Sequence, residues 1–335
     1  MTETATAKKI NIVQAINEAI AETMAADPKV LVLGEDVADR EGGGILGVTR
    51  GLSARFGDER VRSTPISEQA IIGAAIGASI NGYKPIAEIM LMNFTTVAMD
   101  MIVNHAAKLR FMSGGQTNVP IVIRMMTGAG IAAAGQHSDF LEAWFAHTPG
   151  LKVVLPSNPV DAKGLMLSAV ADPDPVLFVE CTRAYFTSGE VPADQGPIPL
   201  GKARVEREGS DITIISYSDM FNRARTAADE LAAEGKSVEL IDLRTVSPWD
   251  RETVLASVRK TGRVLIVHEA VKQFGVGAEI AACIQEEAFD SLKAPVARLG
   301  APYTSVPFSL VLEQAFIVSA REIAEKARAT LAVYR

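Results

Sequence analysis

Cysteine is nearly absent from this chain. Among 335 residues only Cys181 and Cys283 are thiols, far apart and each set among apolar neighbours. That excludes a disulfide framework and a thiolate metal site, and it points to a reducing compartment. Positive charge is also short: 33 Lys and Arg against 40 Asp and Glu leave a net charge of −7, with no basic stripe. Nucleic acid is therefore not expected as a partner. No run approaches the ~18 consecutive apolar residues of a membrane span. The opening stretch, Met1 to Lys9, is polar and too short in apolar residues for a secretory signal. A cytoplasmic location is expected, or an organellar one if this is a mature form.

Several catalytic signatures are missing as well. There is no Gly-x-Ser-x-Gly elbow, and His137-Ser138-Asp139 are adjacent residues that cannot reach one another in series, so serine hydrolase chemistry is not expected. No His-Glu-x-x-His or paired-Cys pattern supports zinc. Gly42-Gly43-Gly44-Ile45-Leu46-Gly47 matches the dinucleotide glycine pattern, but it does not directly follow a strand, and Glu41 would set a carboxylate beside the pyrophosphate. It reads as a loop.

What is present is an alternation of short apolar strands and helices, the mark of parallel sheets covered on both faces. Helical spacing is predicted over 12–24, 67–80, 95–112 and 159–170, and strands over 30–33, 85–91, 119–125, 153–155 and 176–180. A Pro- and Gly-rich passage, Val191 to Gly201, interrupts the pattern. The rhythm restarts with strands over 212–217, 238–243, 264–267 and 295–298 and helices over 220–233, 251–260, 277–288 and 320–331. The expected fold is α/β with two doubly wound domains, residues 1–190 and 206–335, joined by a linker at 191–205.

One carboxylate stands out. Thr64-Pro65-Ile66-Ser67-Glu68 opens a helix built almost wholly of Ala, Gly and Ile. Pro65 disfavours helix at Thr64, and Ser67 can cap a helix whose first turn holds Glu68. So small and apolar a helix is expected to pack against other backbone, leaving Glu68 partly desolvated and able to carry a proton. The alternative is a first-turn Glu favoured only by the helix dipole. His137 follows a small-residue loop, Thr127 to Gln136, after the carboxyl end of a strand, where open parallel sheets place ligands. It could equally be a helix-entry residue. His268, beside Glu269 near a strand end, is a weaker candidate, and His105 and His147 read as structural.

Taken in order, Gly34-Glu35-Asp36-Val37, Gly43-Gly44 with Thr49-Arg50-Gly51-Leu52, and Thr64-Pro65-Ile66-Ser67-Glu68 closely resemble one family. Gln136-His137-Ser138, Pro149-Gly150-Leu151-Lys152-Val153-Val154, Asp161-Ala162-Lys163-Gly164-Leu165 and Asp242-Leu243-Arg244-Thr245 extend the match over about residues 10–330. The family is the beta subunit of the thiamine-diphosphate-dependent, decarboxylating component of 2-oxo acid dehydrogenase complexes, of pyruvate, acetoin or branched-chain type. The resemblance implies a transketolase-like pyrimidine-binding domain followed by a transketolase C-terminal domain, with thiamine diphosphate lying between an alpha and a beta chain. In the matching positions Glu68 contacts the aminopyrimidine ring nitrogen, where proton sharing favours the imino tautomer that deprotonates the thiazolium carbon. Phe94 matches the aromatic that stacks on the pyrimidine, Ile66 an apolar residue lining it, and Met90 a variable position near it. His137 matches an active-site histidine facing the substrate adduct and the entering lipoyl group. Ile121, Ala169, Val170, Asp172 and Asp174 match a monovalent-cation (K+) site made mostly of backbone carbonyls, though Pro173 alters that loop.

The family's superfamily holds the diphosphate and Mg2+ with a Gly-Asp-Gly motif followed some way on by Asn. No Gly-Asp-Gly occurs here. The resemblance thus implies Mg2+ ligands on an alpha subunit, an assembly of two alpha and two beta chains, a lipoyl acyltransferase as acceptor, and a 2-oxo acid or acetoin as substrate. Departures bear on the substrate: Asp139 stands where relatives commonly have Gln, and Cys181 follows Glu180 where many have a polar residue. The stretches from Gly43 to Thr49 and from Ala301 to Ser309 look more like acetoin than pyruvate dehydrogenases. A self-sufficient transketolase-type carboligase and a noncatalytic assembly subunit remain as alternatives.

Overall fold

The computed structural model describes residues 7–333, so most of the polar opening stretch lies outside the described residues. The chain divides into two compact units. One runs to Thr127 and resumes from Trp144 to Leu200; the other comprises Gly128–Ala143 and the chain from Gly201 on. A linear cut near residue 190 does not anticipate that exchange: the segment carrying His137 packs with the second unit.

In chain order the first unit contains Lys8–Asn11 (β1), Ile12–Ala26 (α1), Val30–Gly34 (β2), Leu52–Phe56 (α2), Val61–Ser63 (β3), Glu68–Ile80 (α3), Lys84–Leu91 (β4), Leu109–Met112 (α4) and Val122–Thr127 (β5). Glu142–Ala146 (α5) straddles the division, and Lys152–Val154 (β6), Pro159–Ala171 (α6), Val176–Cys181 (β7) and Ser188–Val191 (β8) complete the unit. Its strands run in the order β6-β7-β5-β4-β2-β3, every neighbouring pair parallel. Apolar spacing buries Ile12, Ile16, Ile20 and Met24 on one side of α1, which packs against α6. Each such side chain contributes roughly 1.5–3 kcal/mol by leaving water. Asn11 and Gln14 close a reciprocal capping box at the start of α1. β1 and β8 form a small antiparallel pair that strand alternation did not predict.

The second unit contains Arg204–Arg207 (β9), Ile212–Ser216 (β10), Ser218–Ala233 (α7), Val238–Asp242 (β11), Thr245–Ser247 (β12), Arg251–Thr261 (α8), Val264–Val271 (β13), Val276–Ala288 (α9), Ala297–Ala301 (β14), Leu310–Phe316 (α10) and Ala320–Ala332 (α11). Its sheet runs β14-β13-β10-β11-β9, parallel except for β9 at the edge. Ile214, Phe221, Leu231, Leu240, Leu265 and Ile323 build its core, and Ala129 of the inserted segment joins them. Among the described residues no helix is long and apolar enough to cross a membrane.

Four local expectations change. The helix expected over 95–112 is broken into a 3-10 turn at Met92–Thr96, a π-helical stretch at Met101–Ala106 and the short α4. The wide turn, closed by Ala107 N–H to the Ile102 carbonyl at 3.0 Å, keeps Ala98, Ile102, Ala106 and Ala107 all buried. The strand expected over 119–125 starts at Val122, because Pro120 has no N–H to give the ladder. Ser67 occupies the N-cap position of α3 but makes no side-chain capping bond. His268 does not end its strand: β13 runs on to Val271, and the ring is fully buried. Its Nδ1–H donates to the Ala270 carbonyl at 3.0 Å, and burial pushes its pKa down to about 4. A Cβ on Gly275, Gly277 or Gly300 would come within 2.9 Å of that ring, so His268 is a neutral core residue.

The centre of the first sheet holds an ionic network in apolar strands. Arg124 on β5, 2% exposed, donates to Glu88 on β4 at 2.5 Å and through two nitrogens to Glu180 on β7 at 2.8 Å each. Tyr185 donates its hydroxyl to Glu180 at 2.5 Å. Burial pulls the Arg124 pKa down, but the flanking Glu180 and Glu88 more than offset this and hold its guanidinium above its ordinary pKa. Arg124→Leu would leave two buried carboxylates without their cation. It should cost roughly 3–5 kcal/mol in urea unfolding of the chain. A loss under about 1 kcal/mol would show that the network is not part of what holds the sheet.

Candidate active site

Glu68, Ile66, Met90 and Phe94 all sit at the carboxyl edge of the first sheet. The cause is topological: β3, β2 and β4 are neighbours and parallel, so the segments leaving them emerge side by side. β2 ends at Gly34 and delivers Glu35 and Asp36. β3 leads through Thr64, whose N–H bonds the Gly34 carbonyl at 2.8 Å, to Ile66 and the start of α3 at Glu68. β4 carries Met90 at its end, and the 3-10 turn after it carries Phe94. A Cβ at Gly34 would lie 2.9 Å from the Glu88 Cβ and carbonyl oxygen, so only glycine permits β2 to lie this close to β4.

The edge is apolar and acidic together. Ile66 is 75% exposed, an unusual position for isoleucine. Glu68, Met90 and Phe94 are half-buried. Burial, and then the charges of Asp36, Glu68 and Glu88, push the Glu35 carboxyl above its ordinary pKa, so these acids lie within electrostatic reach of one another. One face of α3 remains outward with Ala70, Ala74 and Gly77, so the expected burial on most of its surface is limited to the face of Ile71, Ile72, Ala75, Ile76 and Ser79. The glycine motif is a loop over this region rather than a helix entry: Gly42, Gly43 and Gly44 all have positive φ, and the next helix after them begins only at Leu52. Gly44 and Ile45 close a small cleft with Met90, Glu88, Arg124 and Tyr185. Lone charges in three apolar strands, Glu88, Arg124 and Glu180, were the sequence signal for that cleft's floor.

The chemistry of this donor set suits one half of the cofactor implied by the resemblance. An exposed Ile66, a half-buried Phe94 and the Glu68 carboxylate fit a flat heteroaromatic ring with a protonatable nitrogen. The surrounding acids, Glu35, Asp36 and Glu88, do not fit a diphosphate. The proposed cation donors fit less well. Lys152 Nζ lies 2.5 Å from Asp172 and 3.4 Å from Asp174, and Arg110 lies 2.6 Å from Asp174. The Ile121 carbonyl already accepts from Val176 N–H at 3.0 Å and the Ala169 carbonyl from Asp172 N–H at 3.3 Å. Asp172 and Asp174 are already paired with protein cations, so their carboxylates are poorly suited to K+.

His137 lies in the second unit, half-buried in a 3-10 turn, Gly135–His137. The turn is followed by buried Ser138, Phe140 and Glu142, which root it in that unit. Glu142 is fully buried and accepts the Tyr217 hydroxyl at 2.6 Å, while its other oxygen has no partner among the described residues. Burial pushes its carboxyl up to about 7. Sequence reading missed Glu142, because an acid that opens a short helix looks like any exposed first-turn Glu.

Comparison with known proteins agrees with this geometry. Residues 8–187 match the family described as transketolase, pyrimidine binding domain, and residues 201–323 match transketolase, C-terminal domain. The chain is 48% identical over 333 residues to the beta subunit of an acetoin:2,6-dichlorophenolindophenol oxidoreductase of Cupriavidus necator, covering 97% of this chain and 98% of that protein. Its namesake in Bacillus subtilis is 45% identical, covering 93% and 94%. The pyruvate dehydrogenase E1 component subunit beta of Staphylococcus epidermidis is 44% identical, covering 96% and 99%. Among solved structures, a split-gene transketolase described as an inactive beta4 tetramer matches in fold with a TM-score of 0.80 at 24% identity, covering 97% of this chain and 99% of that one.

The raised Glu142 carboxyl has a stability consequence whose sign is fixed. Between about pH 4.5 and 7 the native state holds a proton that the unfolded chain has released. Stability contributed by Glu142 is therefore greatest below that window, falls as pH rises through it, and is level above it. The full difference is roughly 3 kcal/mol at about 1.4 kcal/mol per unit. Glu142→Gln keeps an acceptor for Tyr217 without titrating. Its thermal stability relative to wild type should be higher at about pH 8 than at about pH 5, and a difference independent of pH would contradict the assignment.

Proposed function

The chain belongs to the transketolase-like family of pyruvate and acetoin dehydrogenase beta subunits, and we propose that it supplies the pyrimidine half of a thiamine diphosphate site completed by an alpha subunit. The observation that carries this reading is the edge described above: Glu68 at the start of α3 beside Ile66 and Phe94, amid acids unsuited to a diphosphate. The absence of a Gly-Asp-Gly motif from the sequence agrees. The diphosphate and its Mg2+ are assigned to the partner chain, in an assembly of two alpha and two beta chains.

When bound, thiamine diphosphate supplies an electron sink that lets a bond to a carbonyl carbon break. Glu68 holds or releases a proton at its carboxyl oxygen toward the ring nitrogen. Phe94 and Ile66 keep water from the two faces of that ring, and Met90 borders it. His137 manages a proton at the substrate side. The substrate class is a 2-oxo acid or acetoin, and the acceptor is a lipoyl acyltransferase. Two of the relatives above are acetoin oxidoreductase subunits, and the glycine loop and the Ala301 to Ser309 stretch lean the same way.

Two variants of the reconstituted pair separate the roles. Glu68→Gln preserves size but not proton transfer, and exchange of the cofactor's thiazolium proton should fall by about 10²–10⁴-fold. His137→Ala should leave that exchange near the wild-type rate and slow transfer to a dithiolane acceptor. Wild-type exchange in Glu68→Gln would reduce Glu68 to a helix-terminal charge. Loss of exchange in His137→Ala equal to that in Glu68→Gln would remove the division of labour.

A further inference from the structure

The short helix α10 is built inside out. Leu310, Val311 and Leu312 are 58%, 79% and 58% exposed, while Glu313 between them and the buried Phe316 is not exposed at all. Burying a carboxylate where a leucine was available costs several kcal/mol unless its oxygens are fully bonded. Both are: one accepts Gly130 N–H at 2.7 Å and the other Ala132 N–H at 3.0 Å. Nearby, Glu269 accepts Ala129 N–H at 2.9 Å. All five residues lie in the second unit, in and against the segment that ends at His137.

That segment cannot hold its own shape. Gly128 and Gly130 have φ of 108° and 113°, and Ala132 and Ala134 stand at 55° and 60°, where an L-residue costs of order 1–3 kcal/mol. Such a backbone persists only if its surroundings over-determine it. Gly135 adds a close approach, since a Cβ there would lie 3.3 Å from the Ser305 Cβ. Hydrogen bonds from N–H groups to a charged acceptor are the strong kind, and two of them here converge on one side chain.

We infer that Glu313, seconded by Glu269, is a positioning residue: its carboxylate clamps the strained 129–134 backbone and so fixes His137. The consequence for catalysis rests on the reading of His137 given above; the clamp itself does not. Glu313→Gln keeps the shape but turns an N–H donor toward one of the two amides it served. In the full chain paired with its alpha subunit, amide hydrogen exchange over 129–134 should speed up by at least about tenfold. In the same variant kcat for transfer to a dithiolane acceptor should fall by about tenfold with KM for the donor substrate within about twofold, since His137 acts after binding. Ala132→Gly removes the positive-φ strain but leaves the clamp intact, and should keep slow exchange. Unchanged exchange in Glu313→Gln, or a loss in Ala132→Gly as large as in Glu313→Gln, overturns the clamp. Faster exchange in Glu313→Gln with undiminished kcat leaves the clamp standing and removes His137 from the chemistry.

Discussion

The guanidinium of Arg124, sunk between Glu88 and Glu180 with Tyr185 closing the far side, is the interaction on which the first unit depends. Apolar strands buried on both faces specify register poorly, because one valine pairs as well as the next. A one-residue slip would turn Arg124 from its two acids and leave three charges in hydrocarbon, which no other register repairs. Such a network adds little net stability over a hydrophobic triad of the same volume; its value is selection of one alignment of β4, β5 and β7. The alignment fixes where those strands end and therefore which side chains reach the carboxyl edge. Glu88 also acts upward: it lies under the Gly44 loop and helps keep the Glu35 carboxyl from ionising freely.

Much of this was legible in the sequence, for reasons that differ by element. α1, α6 and α11 announce themselves by apolar spacing, and the structure adds side-chain caps to them at Asn11, Asn158 and Ser319. The start of α3 at Glu68 was readable because Thr-Pro-Ile-Ser introduces a helix built almost wholly of Ala, Gly and Ile. The Met92 to Met112 stretch was not, since a π turn changes hydrogen-bond partners without changing the apolar pattern. Nor could spacing reveal that Gly128–Ala143 joins the second unit: its alanines and glycines suit a loop on either. His268 misled for the opposite reason. A polar residue near a strand end suggests a crevice, but three glycines more than a dozen positions apart at their extremes make its place in the core. Glu313 is hidden by its neighbours, because a sequence reader buries Leu310, Val311 and Leu312 and exposes the acid between them.

The two units contribute different chemistry. The first offers a flat apolar surface edged by carboxylates, suited to a ring that exchanges protons and hostile to phosphates. The second presents His137 on a strained loop held by buried carboxylates of its own core. Neither unit's described sites supply cations for a diphosphate, and the cations near Asp172 and Asp174 are spent on those acids. On the reading proposed above, the chain holds half a cofactor site and another chain completes it.

Calorimetric titration of thiamine diphosphate with Mg2+ tests that claim most directly, performed on the chain alone and on the chain paired with its alpha subunit. The account predicts weak or undetectable heat from the lone chain and saturable, Mg2+-dependent binding from the pair. Tight, Mg2+-dependent binding by the lone chain would contradict it, because the diphosphate would then have a home that these residues do not provide.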